Sequence, residues 1–287
     1  MFPDMAFAQE QRNREDRLSK LQHYLQCPEA MDPVKSCDKI KGADARRRFE
    51  TNDDVDPDSP TEVDRFYSKR YKRLLGLSDF QLWWKSKNSC FWILEATNRP
   101  QGRPNDALWL SSAVAAHAAH AQKGSCANSI YYRVTDTQFS LHQVLSVIII
   151  SILSWDVGFC DRHQTLVNRA MNPSGTSLTV VMHLTTELLQ NWSKEHPDNQ
   201  VSIVLDRVDL CLSKETQASI SDRTLIYVLD EFAKIIEAQK NLKLWWTVNR
   251  RGWPSYARDH FESFKSNRAR GHFLSSEPLL EVTELGW

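Results

Sequence analysis

From Cys90 onward, short runs of β-branched and aromatic residues alternate with longer stretches in which apolar side chains recur every three or four positions. The runs CFWIL (90–94), SIYYRV (129–134), VSIVLD (201–206), LKLWWTV (242–248) and HFL (272–274) predict strands. The periodic stretches Ala107–Ala121, Phe139–Trp155, Leu178–Trp192 and Leu225–Ala238 predict helices; in the last, Leu225, Val228, Leu229, Phe232 and Ile236 share one face. The strand cores are apolar on both sides, which suits a parallel sheet covered by helices on each face. The segment LWLSSAVAAHAAHA is rich in alanine on nearly every side, so it is expected to pack closely against the sheet.

The amino-terminal part reads differently. Residues 6–26 carry only a thin apolar stripe and suit an exposed helix or one docked on a partner, while residues 28–61 are charged and prolyl, with the acidic knot ETNDDVDPDSP. The expected organisation is therefore an arm and linker over 1–62, partly disordered, and one three-layer α/β domain over 63–287.

Composition narrows the function classes. With 287 residues and 41% hydrophobic content the chain can bury a large core, and the balance of 36 basic against 36 acidic residues gives no global attraction to nucleic acid or an anionic membrane. The start, MFPDMAFAQEQRNRED, has acids where an export signal has basic residues, and the apolar run VLSVIIISILSW is well short of the ~20 residues that span a bilayer. Six widely spaced cysteines without a C-x-x-C pair argue against a zinc knuckle or disulfide scaffold, so the expected location is the reducing cytoplasm.

The strongest chemical signal is VSIVLDRVDLC, in which Asp206 ends a strand and Asp209 follows three residues later. In a doubly wound sheet the carboxyl ends of the strands form the ligand crevice, where such an acid can hold a magnesium water shell against a nucleotide phosphate. Capping of a loop after a core strand explains the same pattern. The segments DFQLWWKSKNSCFWIL, IVLDRVDLC and LKLWWTVNRR resemble, in that order, the run-in to the phosphate loop, the Walker B strand and the sensor strand of fungal NTPases of the NACHT or STAND type. That resemblance covers roughly residues 67–280 and implies a P-loop NTPase-like sheet of strand order 5-1-4-3-2, with ATP or GTP and magnesium as the ligands.

Against that pattern the phosphate loop is degenerate. Read back from Leu108 and Trp109, the lysine position falls on Asn105 and the hydroxyl position on Asp106; Gly102 remains of the glycines, and no lysine lies between Lys87 and Lys123. A phosphate cradle needs backbone N–H groups, a lysine and a hydroxyl, whereas Asp106 repels phosphate and Pro100 and Pro104 each lack an N–H. Arg99 and Arg103 restore part of the positive charge. By the resemblance, Arg250 fits the arginine that meets the terminal phosphate, and Asp209 fits a general base, with loop capping as its alternative. Loss of the cradle's charge removes several kcal/mol of transition-state stabilisation, which argues against efficient hydrolysis.

Other constellations read more simply as structure. His117 and His120 stand three apart without a completing ligand, Cys160 and His163 lack a third orienting group, Thr176 or Ser177 suits a helix N-cap, and the arginines and aromatics of residues 249–272 suit packing on the sheet. Two functions remain: a non-hydrolysing interaction or regulatory module, which the lost lysine favours, and a nucleotide switch with weak hydrolysis. About forty residues follow Thr247 and no repeat is visible, so the expectation is a mainly monomeric protein that meets protein partners through residues 6–26 or the edge near 272–287.

Overall fold

Strands that are apolar on both faces need cover on both sides, and the helices between them supply it. The computed structural model describes residues 3–50, 60–97, 108, 110–123, 128–135, 140–156, 158–170, 177–212, 222–268, 272–275 and 279–280. Four helices, α1 (Pro3–Tyr24), α2 (Pro33–Glu50), α3 (Pro60–Leu75) and α4 (Ser78–Lys85), precede the first strand, β1 (Cys90–Thr97). Then follow α5 (Ser111–Lys123), β2 (Asn128–Arg133), α6 (Leu141–Trp155), α7 (Phe159–Arg162), α8 (Gln164–Ala170), α9 (Leu178–Glu195) and β3 (Val201–Asp206). The described chain ends with α10 (Asp222–Ala238), β4 (Leu242–Asn249), α11 (Ser255–Asn267), β5 (Phe273–Ser275) and β6 (Leu279–Leu280).

All the strand pairs are parallel, in the order β2-β3-β4-β1-β5. From the other edge this reads β5-β1-β4-β3-β2; the departure from the expected list is β6, two residues that also pair with β1. Segments 90–94, 201–206 and 242–248 are thus neighbouring parallel strands, as the alternation of elements requires.

The two faces carry separate cores. Phe91, Ile93, Leu205, Trp246 and Val248 point toward α6, α9, α10 and α11, while Trp92, Leu94, Val204 and Trp245 point toward α2, α3, α4 and α5. Helix α6 is buried along most of its length, and its start is fixed by a capping box in which Ser140 and Gln143 satisfy each other's backbone N–H. Ser177 caps α9 by accepting from the Val180 N–H. Among the described residues no helix is long and apolar enough to cross a membrane.

The amino-terminal expectation needs correction. Residues 33–50 are helical, not linker, and α2 lies on α5 with Cys37 and Ile40 buried. The cause is local: Pro33 opens the helix, and the Asp32 carboxylate caps it by accepting from the Val34 N–H at 2.8 Å. Helix α1 likewise docks, placing Leu21 and Leu25 in the core beside α6. Residues 51–59 lie outside the described residues.

Candidate functional site

The carboxyl ends of β3 and β4 bring together the acids singled out in the sequence. Asp206 ends β3 opposite Thr247 of β4 and Arg133 of β2. Its side chain points to the α5 side of the sheet and is 0% exposed. Thr247 Oγ1 donates to Asp206 Oδ1 and accepts from the Arg207 N–H at 3.1 Å, so one hydroxyl joins the strand end to the following turn. Asp206 Oδ2 has no hydrogen-bond partner among the described residues. Ser111, in the first turn of α5, sets its buried hydroxyl beside this carboxyl without forming a hydrogen bond of good geometry.

Burial dominates the electrostatics of Asp206. It pushes the carboxyl's pKa up, against the hydrogen bond from Thr247 and the positive charge of Arg133. Tyr131, across β2, is pushed up by burial as well, and its hydroxyl also lacks a partner among the described residues. The neighbourhood of Asp206 is therefore polar and closed, with burial outweighing the charges of Arg133 and Arg207.

Asp209 has the opposite surroundings. Arg207, 1% exposed, adopts a φ of 65°, and this left-handed turn swings its guanidinium back onto the chain. It donates from Nε to Asp209 Oδ1 at 3.1 Å and from Nη2 to Asp209 Oδ2 at 2.9 Å, and the Asn249 N–H adds a third bond to Oδ1 at 3.0 Å. Gly252 closes the site sterically, since a Cβ there would lie 3.1 Å from Asp209 Oδ2. A carboxylate with these partners is tied down; it ties the end of β4 to the turn after β3, which is the loop-capping role, and its oxygens are already engaged by donors.

The other expected residues divide. Arg250 sits beside the end of β1, its N–H bonded to the Ala96 carbonyl at 3.0 Å, with its side chain exposed. Gly102, Arg103, Asn105 and Asp106 lie outside the described residues. Helix α5 begins at Ser111 rather than Ala107, and the hydroxyl beside Asp206 belongs to Ser111. The pair Ser111-Ser112 ahead of the alanine run carried that signal in the sequence. Arg207 could not be foreseen, because nothing in LDRVD distinguishes a solvated arginine from one folded back on a carboxylate.

Elsewhere the plainer readings hold. His117 is buried among Phe80, Trp83, Trp84 and Trp245, with ring centroids 5.0 Å from Phe80 and 4.7 Å from Trp84, while His120 is exposed. Burial of Cys160 raises its thiol pKa, and His163 instead meets Glu195 at 2.7 Å, so no thiolate pair forms. Trp253, Phe261 and Phe264 are buried in the core, and Arg258 and Arg268 are paired with Glu95 and Glu237. Asp156, Glu195 and His196 approach one another closely enough to hold a metal, but Arg162 already bridges the two carboxylates at 2.6 Å each. No protein-family model matches this chain, and neither the curated proteins nor the solved structures contain a significant match to it.

Proposed function

We propose that this chain is a non-hydrolysing regulatory or interaction module on a P-loop-like sheet, descended from a STAND-type signalling ATPase, whose former catalytic acids have become structural. The observation that carries this reading is the burial of Asp206, at 0% exposure and with its carboxyl pushed toward the neutral acid. A magnesium water shell needs an ionised carboxylate reachable from solvent, and a general base needs a free lone pair. Asp206 lacks the first property and Asp209, held by Arg207 and the Asn249 N–H, lacks the second. These surroundings of Asp206 and Asp209 weigh against a magnesium nucleotide. In the sequence, the missing lysine between Lys87 and Lys123 points the same way.

One observation favours a second reading, a nucleotide switch. Asp206 Oδ2 and Ser111 Oγ lie side by side at the start of α5, buried and without a hydrogen bond of good geometry among the described residues, an arrangement that a cation would satisfy if the site opened. Isothermal titration with ATP and with GTP, each with magnesium, separates the two. The module reading expects no heat of binding up to millimolar nucleotide. Micromolar binding that Asp206→Ala abolishes would replace it with the switch.

A further inference from the structure

The amino-terminal arm crosses from one face of the sheet to the other. Helix α1 packs on α6, and its Leu21 and Leu25 belong to the core on that side. Helix α2 packs on α5, and its Cys37 and Ile40 belong to the core on the opposite side. The chain between them must therefore pass around an edge of the sheet, and Met31 identifies the edge. The Val134 N–H bonds inward to the Asp206 carbonyl, so the Arg133 N–H points outward from β2, and it meets Met31 Sδ at 3.4 Å. Met31 also touches both cores.

The crossing has a tight helix-end turn at one end and a seat at the other. Helix α1 ends in a Schellman motif, with the Cys27 N–H bonded to the Gln22 carbonyl and the Gln26 N–H to the His23 carbonyl, and Gln26 takes a φ of 50° where glycine is the usual occupant. At the seat, Cys37 donates through Sγ to the Ser112 carbonyl at 3.5 Å, directly over the first turn of α5. The arm is latched on the far face by two arginines. Arg14 donates to the carbonyls of Leu153 and Asp156, each at 3.1 Å, at the carboxyl end of α6, and Arg17 pairs with Asp161. The latch is half exposed, at 36% for Arg17 and 34% for Asp161, so its hold is modest beside that of a buried contact.

We propose that residues 14–41 form a strap that closes the β2 edge and the first turn of α5, and that it lifts as a unit, uncovering the polar centre at Ser111 and Asp206 while the sheet stays folded. The proposal rests on packing and does not depend on whether a nucleotide binds. Lifting removes Met31 from the outward N–H of β2 and Cys37 from Ser112, so it exposes both an edge strand and a helix N-terminus.

The strap is tested on the full chain by alkylating cysteines without denaturant and mapping the labelled peptides. Cys37 reports the strap; Cys90, buried in β1, reports global unfolding. In the wild type Cys37 should label at least about tenfold faster than Cys90, as expected of a local opening. Arg17→Glu should accelerate Cys37 by about fivefold, with Cys90 unchanged and amide exchange at residues 111–115 rising in step, and adding Asp161→Arg should restore the wild-type rate. Equal rates at Cys37 and Cys90 in every variant would show that the arm opens only with the whole fold and would overturn the proposal. So would an Arg17→Glu effect that reaches Cys37 and Cys90 alike, or one that Asp161→Arg does not reverse.

Discussion

Asp206 and Asp209 stand three residues apart in different surroundings, so they call for different predictions. An acid whose folded pKa is raised binds its proton more tightly in the folded state; its stabilisation is complete below the ordinary carboxylate range and is lost as pH climbs toward the folded value. Asp206 is such an acid, because burial outweighs the Thr247 hydrogen bond. Asp206→Asn supplies a permanently neutral group whose amide can reach the Ser111 hydroxyl. We predict that it matches the wild type near pH 4 and exceeds it at pH 7.5 by on the order of 1–3 kcal/mol, the usual penalty of an unsatisfied buried group, as read from urea midpoints at the two pH values. Asp209→Asn should destabilise. It breaks the buried pair with Arg207 from one side, which costs roughly 3–5 kcal/mol, so the same urea measurement should show a large loss at neutral pH. The sequence disclosed both acids and their place at the strand end. It did not disclose that a left-handed Arg207 would claim one of them, since that depends on a single backbone dihedral.

At the scale of elements, the strands were legible because β-branched and aromatic runs bounded by polar residues have few alternatives. VSIVLD became β3 with the expected bounds. β1 runs three residues further than CFWIL suggested, to Thr97, because Glu95 reads as a strand end in the sequence but is paired with Arg258 of α11 in the fold. Helix α2 was missed because its charge outweighed two signals that were present, the Asp32-Pro33 start and the three-residue spacing of Cys37 and Ile40. The α4–α5 junction carries its own testable consequence. His117 sits in the aromatic box with both ring nitrogens unpartnered among the described residues, and burial lowers its pKa from the ordinary 6.5 to about 4. A base of this kind stabilises fully above 6.5 and loses that contribution as pH falls toward 4, about 3 kcal/mol in all from this one ring. His117→Phe keeps the edge-to-face packing and removes the two nitrogens. It should raise the pH 7 stability by about 1 kcal/mol or more and flatten the decline between pH 6.5 and 4 in a denaturation series.

Over the whole molecule, the parallel sheet places the carboxyl ends of β1, β3 and β4 side by side, which is where an α/β protein ordinarily builds a ligand site. Among the described residues, the groups at that end are engaged by the protein itself. Thr247 takes one oxygen of Asp206, Arg207 and the Asn249 N–H take Asp209, Gly252 closes against Asp209, and the amino-terminal arm covers α5 beside Ser111. Alternation of strands and helices made the sheet readable, because burial on both faces constrains every residue of a central strand. The closure was not readable, because it arises from contacts between segments far apart in the chain, such as Cys37 with Ser112. The charge on Asp206 decides between a structural centre and a working one. The direct measurement is carbon-13 NMR of the Asp206 carboxyl across a pH titration, with the signal assigned by its loss in Asp206→Asn. A carboxyl that titrates above the ordinary carboxylate range is the result predicted. One that ionises in the ordinary carboxylate range near pH 4 would contradict the account, since it would leave at the sheet's end the anion that a magnesium nucleotide requires.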